Sequence, residues 1–376
     1  MKKLIDICDI QYGYAFDSKC FTDDSCYPPL VRIRDVKRGY SETYYSGDYP
    51  KEYVLASGDL LVGMDGEFNI ARWKCDGALL NQRVCKLIAK KGTNEEYLRF
   101  AMTKALKEIE RRTAFVTVKH LSAKELNKLQ LSVPDLSEQN RVAKILSRLE
   151  KVIDLRRQEL QKLDNLIKAR FVERFGDPVD NPMGWNKKRL QDIVSDDCSI
   201  SYGIVQTGDD KEEGVPVFRP VDIVNRVPKL DELKKTTEEI SNKYKRTILK
   251  GREMLITVRA NIADTCIVGE EFKGCNVGRG IVPIRTKEDI MVLEFLKYLM
   301  DSKHLNDDIK RKAKGITLIQ LNMEDLREVE LIIPPVEQQK IFVDFAKKID
   351  KSKVEVQKAL DETQKLFDSL MQQYFG

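Results

Sequence analysis

The sequence predicts an α+β protein in which one unit occurs twice and each copy ends in a long helix, the two helices forming an antiparallel coiled coil. Segment 121–139 aligns without a gap with 321–339, and the same shift of 200 residues aligns the Phe-Gly pair at 175–176 with that at 375–376. Each copy ends in an apolar heptad pattern. Four parts follow: 1–135, the helix 136–176, 177–335, and the helix 336–376.

The repeat extends towards the start of each copy with small gaps. The matching segments are 96–102 with 294–300, 69–71 with 261–263, 58–62 with 252–256, 29–36 with 216–223, and 4–7 with 190–193. Each half of the chain is therefore one complete unit.

The first part of each copy carries short β-rich runs separated by turn residues. In the first copy these runs are 30–33, 60–62, 84–88 and 129–133. Helical patterns at 95–111 and 290–312 interrupt them. This mixture predicts a small α+β domain in each copy.

Apolar residues then recur at alternating steps of three and four, which predicts two helices that share a buried seam. A rod of about 38 residues is nearly 60 Å long at about 1.5 Å per residue. We expect the two helices to pair with each other, although each could instead pack on its own globular domain. The predicted seam is Val142, Leu146, Leu149, Ile153, Leu160, Leu163, Ile167, Phe342, Ala346, Ile349, Val356, Leu360, Phe367 and Leu370.

Composition excludes several classes of protein. Apolar residues make up 42% of the 376 residues, and the net charge is only +5 from 65 basic and 60 acidic residues. This excludes a disordered chain and a uniformly basic coat, but not a local basic patch. We expect no membrane span and no secretory signal. Eight cysteines without a CxxC pair, and two histidines, argue against zinc and disulfides and for a cytoplasmic protein.

Recognisable catalytic motifs are missing from the sequence. It has no P-loop, no GxGxxG, no GxSxG and no amino-methyltransferase motif. The spacing of Asp264, Glu271 and Lys273 faintly resembles a nuclease core, but chance accounts for it in so charged a chain. We therefore expect no catalytic residues and no metal or cofactor in this chain.

Basic residues occupy comparable segments in both copies, with aromatic residues among them, as expected of nucleic-acid contacts. Any single surface arginine is more often a solvated charge than a DNA contact, and Tyr12 and Trp73 could equally be core residues. The candidates are Tyr12, Arg32, Arg34, Lys37, Arg38, Arg72, Trp73, Arg83, Arg111, Arg112, Lys119 and His120 in the first copy, and Tyr202, Arg219, Arg226, Arg259, Asn261, Arg279, Lys310, Arg311, Lys312 and Lys314 in the second.

Several segments together carry a family resemblance. They are 13–16 with 30–35, 57–61 with 63–72, 80–84, 118–122, the Pro-x-Leu-x-Glu-Gln run at 134–139, 175–178 and 181–185. In this order, with the duplication and the two helices, the chain resembles the specificity subunit of type I restriction–modification systems. The second copy departs from the pattern, because its 256–261 turn lacks the two glycines of the first.

The resemblance implies that 1–135 and 177–335 are target recognition domains, each reading one half of a split site in double-stranded DNA. The two helices would act as a ruler between the half-sites and dock two methyltransferase subunits. S-adenosylmethionine and ATP would belong to partner subunits, the latter to the restriction subunits. The chain itself would be a non-catalytic subunit.

The loops of the two copies diverge, as 17–27 and 207–214 share little. We therefore expect two different half-sites and an asymmetric target. Three alternatives stay open: the specificity subunit of a related system with fused methylase and nuclease, a two-headed scaffold that binds proteins, and a stand-alone nuclease.

Overall fold

The protein divides into two compact units. The structure, a computed structural model, describes residues 1–112, 120–223, 228–315 and 319–376. The first unit comprises Met1–Gln158 and Gln357–Gly376, and the second comprises Glu159–Val356. Each unit therefore contains one globular part together with a segment of each long helix.

The first half of the chain alternates short strands and helices before one long helix. Its helices are α1 Leu4–Ile7, α2 Ile33–Arg38, α3 Glu95–Arg112, α4 Ala123–Lys128 and α5 Leu136–Phe175. Its strands are β1 Lys2–Lys3, β2 Cys8–Tyr12, β3 Phe21–Thr22, β4 Leu30–Val31, β5 Tyr44–Tyr45, β6 Val54–Leu55, β7 Leu60–Gly63, β8 Asn69–Arg72, β9 Ala78–Leu80, β10 Val84–Ala89 and β11 Gln130–Leu131.

The main sheet of the first unit has the strand order β2-β10-β7-β8, all antiparallel. A second sheet, β4-β9-β6, contains the parallel pair β4–β9. Helix α3 packs on the main sheet, where Leu60 and Leu87 share a core with Leu98 and Phe100. Strands pack in this way because their apolar residues alternate onto one face.

The second half repeats this plan. Its helices are α6 Leu190–Ile193, α7 Glu238–Asn242, α8 Leu293–Met300, α9 Lys303–Lys312, α10 Met323–Arg327 and α11 Val336–Phe375. Its strands are β12 Lys187–Arg189, β13 Val215–Phe218, β14 Lys234–Thr236, β15 Glu253–Thr257, β16 Thr265–Val268, β17 Asn276–Val277, β18 Ile281–Ile284 and β19 Glu330–Ile332.

The sheets of the second unit correspond to those of the first. The antiparallel order β16-β15-β18 matches β8-β7-β10, and the parallel pair β13–β17 matches β4–β9. A Tyr-Gly pair occurs in both units at 12–13 and 202–203. A Cβ at Gly13 or Gly203 would overlap a backbone carbonyl oxygen, so only glycine fits at this approach. The predicted α+β class and duplication are confirmed.

The long helices pair within the first unit. The N-terminal part of α5 lies against the C-terminal part of α11, where Val142 and Leu146 share a core with Phe367, Leu370 and Met371. Apolar side chains at heptad spacing lose contact with water on this face, which stabilises the pair.

The same helices pair within the second unit through their other ends. Phe171 and Phe175 of α5 contact Phe342 of α11 at ring-centroid distances of 5.5 and 5.6 Å, and Phe295 of α8 packs against both α5 rings. Edge-to-face and stacked aromatic pairs of this kind contribute about 0.5–1.5 kcal/mol each beyond burial. The start of α5 meets the end of α11 in one unit and the reverse holds in the other, so the helices run antiparallel, as predicted.

The helical pattern at 290–312 forms two helices and not one. Helix α8 ends at Met300, and Ser302, with extended backbone angles, is the N-cap residue of α9. The amide of Asn306 donates to the carbonyl oxygens of Ala263 and Met300, which ties the start of α9 to a loop. Periodicity alone did not reveal this break, because apolar spacing continues across it.

Candidate nucleic-acid interface

A polar cluster lies at one edge of the main sheet in the first unit. Arg83, with a left-handed φ of 71°, connects β9 to β10, and its Nη1 donates to Asp65 Oδ2 at 2.5 Å. The same carboxylate contacts Nδ1 of His120, and Arg83 lies 3.4 Å from that nitrogen. Asp65 and His120 also form a backbone bridge. With the Arg83 side chain 52% exposed, the cluster presents a guanidinium and an imidazole to solvent.

The second unit has a related edge. Arg259 and Gln320 form a backbone bridge, and Nη2 of Arg259 donates to Oε1 of Gln320 at 2.5 Å. Asn261 is exposed next to Arg259. The guanidinium of Arg279 lies 6.0 Å from the ring centre of Tyr202, which is also exposed. Apart from Gln320, the arginine, amide and aromatic side chains at this edge are therefore among the residues that the sequence predicted as nucleic-acid contacts.

Arg32 and Arg219 occupy equivalent places in the two units. Each precedes a short helical segment whose aspartate, Asp35 or Asp222, accepts a hydrogen bond from the arginine backbone N–H. In the second unit the guanidinium also bonds Asp222, at 2.7 and 3.0 Å. The Arg-x-x-Asp pattern thus closes a turn, which leaves Arg32 exposed and Arg219 partly neutralised.

Other candidates on the first sheet have structural partners. Arg72 donates to Glu96 at 2.5 Å, to Glu95 at 3.0 Å and to the carbonyl oxygen of Gly58 at 2.7 Å. These bonds tie β8 to α3. A guanidinium with three acceptors inside its own unit has little left to offer a ligand.

The two aromatic candidates of the first copy are held by the fold. Trp73 is only 1% exposed and belongs to a core cluster, so the core alternative holds for it. The hydroxyl of Tyr12 donates to Oδ1 of Asn127 at 3.1 Å, and burial raises its pKa. Both side chains therefore contribute to contacts within the first unit more than to an exposed binding surface.

The remaining basic candidates lie mostly on the surface. Lys37 pairs with Glu67 at 3.1 Å, and Lys314 lies 3.8 Å from Asp325. Arg111 and Arg112 end α3, and Lys310, Arg311 and Lys312 end α9. Arg34 and Arg38 are exposed as well. Lys119 and Arg226 lie outside the described residues.

Reactive groups are few in the described part of the chain. All eight cysteines are unpaired, and burial raises the pKa of Cys8 and Cys85 to about 12, which keeps these thiols protonated. Asp177, Asp180 and His304 place possible ligand atoms within 4.8 Å of one another. Asp177 already accepts the backbone N–H of Val179, so a turn accounts for its position. No described helix is long and apolar enough to cross a membrane.

The long helices also carry apolar side chains on the surface. Leu166 and Leu366, equivalent in the two copies, are 46% and 50% exposed. Others are Leu136, Val152, Leu155 and Val172 on α5, and Ile341 and Val354 on α11. Apolar side chains exposed on both long helices are candidates for an interaction surface wherever they lie side by side.

Two copies of one α+β unit, each with a polar edge and with segments of both helices, define a protein built for recognition at two places. The family model described as "Type I restriction modification DNA specificity domain" matches residues 1–165 and 182–364. The chain is 30% identical over 397 aligned positions to the specificity subunit of the type I restriction enzyme EcoBI from Escherichia coli, covering 98% of this chain and 84% of that protein. It therefore belongs to the family of type I restriction–modification specificity subunits.

More distant relatives are also named specificity subunits, and two solved structures have a similar fold. The MjaVIII specificity subunit of Methanocaldococcus jannaschii is 21% identical over 88% of this chain and 86% of its own length. An S subunit from M. genitalium has a TM-score of 0.57 at 13% identity, with 100% and 95% of the two chains covered. A chain from a study of complex assembly and conformational transition of the type I R-M system has a TM-score of 0.55 at 19% identity, with 100% of this chain and 96% of that chain covered. These two structures share the fold.

The sequence did not single out Asp65 and Gln320, which hold the arginines at the two edges. One signal for Gln320 was present, since it occupies the position of His120 in the ungapped alignment of 110–120 with 310–320. No sequence signal marks Asp65, because its equivalent in the second unit has the opposite charge.

Proposed function

We propose that each unit reads one half of a split, asymmetric DNA site and that the paired helices fix the gap between the halves. The observation that carries this proposal is the double match of the family model, one match per copy. The polar edges support it, because the first unit offers Arg83 with His120 and the second offers Arg259 with Gln320. His120 and Gln320 are unlike side chains at equivalent places, which favours different base sequences in the two half-sites.

Binding would combine two kinds of contact. Exposed basic side chains such as Arg111, Arg112 and Lys310 can neutralise phosphates without regard to sequence. The arginines at the sheet edges can make bidentate hydrogen bonds to base edges in the major groove. Phosphate contacts position the protein, and base contacts select the site.

The chemistry would be supplied by partner subunits. Exposed apolar residues of α5 and α11, among them Leu166 and Leu366, offer a surface on which two methyltransferase subunits could dock. Those subunits would bind S-adenosylmethionine, and restriction subunits would hydrolyse ATP. The chain would act without catalytic residues of its own, in the cytoplasm.

The salt dependence of DNA binding tests this function against a protein-binding scaffold. The chain assembled with its methyltransferase subunits is titrated onto a labelled duplex at 50 to 200 mM salt. Several phosphate contacts predict that affinity falls by about 10³-fold or more across this range. Affinity that does not change with salt would contradict DNA reading and favour the scaffold.

A further inference from the structure

We propose that Arg83 and Arg259 read equivalent positions of the two half-sites, each by bidentate hydrogen bonds to a guanine. We further propose that Asp65 and Gln320 are the residues that position them. This inference rests on the proposed function, since it requires that both units bind DNA.

Backbone hydrogen bonds establish which strand positions are equivalent. The N–H of Met64 donates to the carbonyl oxygen of Arg83 at 2.9 Å, and that of Val258 donates to Gly280 at 2.8 Å. Met64 therefore corresponds to Val258, and Arg83 corresponds to Gly280. The residue after Met64 is Asp65, and its equivalent after Val258 is an arginine.

The opposing loop matches in the same way. Leu121 donates to the carbonyl oxygen of Met64 at 2.7 Å, and Leu321 donates to that of Val258 at 2.9 Å. The residue before each leucine is therefore equivalent, namely His120 in the first unit and Gln320 in the second. These two side chains lie against the arginine of their own unit.

The arginine comes from a different strand in each unit. In the first, Arg83 leads into β10 and faces the acid Asp65. In the second unit, Arg259 occupies the position equivalent to Asp65, and Gly280 occupies the position equivalent to Arg83. A Cβ at Gly280 would lie 3.3 Å from Arg259 Cβ and would overlap Pro220, so position 280 itself has no room for an arginine side chain beside Arg259. The arginine that contacts residue 120 or its equivalent 320 therefore comes from neighbouring strand positions in the two units.

The partners restrict how each guanidinium moves. Asp65 bonds Arg83 at 2.5 Å, and Gln320 bonds Arg259 at the same distance. A guanidinium fork held in this way loses less entropy when it meets the O6 and N7 acceptors of guanine. A phosphate contact would need only the positive charge. Replacing arginine by lysine separates the two roles, because lysine keeps the charge but lacks the fork.

The test uses the full chain with its methyltransferase subunits and measures methylation rates on duplexes in which each base pair of the site is changed in turn. We expect Arg83→Lys to weaken the preference for guanine at one position of one half-site by about 10- to 100-fold. Arg259→Lys should do the same in the other half-site only. Asp65→Asn should weaken the preference for guanine at the same position as Arg83→Lys, to a smaller extent. Gln320→Ala should likewise weaken the preference at the same position as Arg259→Lys.

Arg141→Lys is the matched control, because Arg141 pairs with Glu138 on α5 and lies outside both edges. It should leave every preference unchanged. Thermal unfolding of each variant distinguishes a loss of stability from a loss of base recognition. The lysine variants should unfold within a few degrees of the wild type.

Two results overturn the inference. One is a lysine variant that keeps every base preference while its methylation of all duplexes falls equally, which indicates a phosphate contact. The other is a wild-type half-site without guanine. Either can occur while the wild type still methylates a split site, so the proposed function would survive. A wild type with no split site would instead refute the proposed function.

Discussion

Gln139 and Gln339 show how single buried residues join the long helices to the globular parts. Oε1 of Gln139 accepts the N–H of Asn94 at 2.8 Å, and its Nε2 donates to the carbonyl oxygen of Pro134 at 2.8 Å. Gln339 accepts from Val292 at 2.9 Å and donates to Pro334 at 2.8 Å. In each unit, one glutamine side chain thus satisfies a backbone N–H at the start of a helix, Gln139 at α3 and Gln339 at α8.

Replacing Gln339 by leucine should destabilise the second unit by about 1 to 3 kcal/mol, because the buried N–H of Val292 loses its acceptor. Urea unfolding of the full chain measures the change. Gln338→Leu is the control, since this neighbouring side chain is only half-buried, and it should have little effect. Equal effects of the two substitutions would show that the amide has no special role.

Glu96 belongs to an ionic network between α3, β8 and α5. It bonds Arg72 at 2.5 Å and Arg99 at 2.9 Å, and Arg99 also forms a bidentate pair with Glu150. Burial by itself would raise the pKa of Glu96, but the charge of Arg99 and the bonds from both arginines outweigh it, so the pKa is lowered.

A lowered pKa in the folded state stabilises the protein above the unfolded pKa near 4.3. This stabilisation is lost as pH falls through the still lower folded pKa. We therefore expect Glu96→Gln to reduce the urea midpoint at pH 7, and the gap from the wild type to shrink at pH 3.5. The exposed Glu52→Gln should show little gap at either pH. A gap for Glu96→Gln that stays constant with pH would contradict this account.

Sequence reasoning was limited at the residue scale because partners lie far apart in the chain. The candidate Arg72 is bonded to Glu95 and Glu96, and nothing local in the sequence signals that pairing. Trp73 is buried although its neighbours in sequence are polar. Only the fold shows which basic residues remain free for a ligand.

The long helices were the most predictable elements of the fold. The heptad pattern and the prolines just upstream predicted helices over 136–176 and 336–376, and α5 and α11 run over Leu136–Phe175 and Val336–Phe375. Short strands were harder, because the predicted strand 30–33 gives way to α2 at Ile33. There Asp35 accepts the backbone N–H of Arg32, and this cap starts a helix.

Deleting one heptad from each long helix should shorten the gap between the half-sites. Seven residues shorten a helix by about 10 Å, which corresponds to about three base pairs of DNA. Methylation of duplexes with gaps of different length measures the change. Deleting a heptad from only one helix is the control, since the two helices then differ in length by one heptad and cannot pair along their whole length, so methylation at every gap should fall. An unchanged preferred gap in the double deletion would reject the ruler role.

Polar residues within the seam distinguish the two halves of the chain. Arg156 bonds the carbonyl oxygen of Ala359 and the hydroxyl of Thr363 in the first unit. Lys353 pairs with Asp164 at 2.6 Å in the second unit. Polar groups at seam positions favour one pairing over others.

If 1–176 and 177–376 are produced as separate chains, we expect them to form a heterodimer in preference to homodimers. In a homodimer of the first half, Arg156 would face Leu163, the equivalent of Thr363. In a homodimer of the second half, Lys353 would face Gln364, the equivalent of Asp164. Native mass spectrometry of the mixture measures the preference, and Arg156→Leu with Lys353→Ile should weaken it. A statistical mixture of dimers would contradict this role.

If two unlike units read two separate half-sites, the methylated motif is split and its two parts differ. Sequencing of methylated bases in DNA from cells that express the chain with its methyltransferase subunits reveals this motif. We expect two different specified segments separated by a constant number of unspecified base pairs. A palindromic or uninterrupted motif would contradict this expectation.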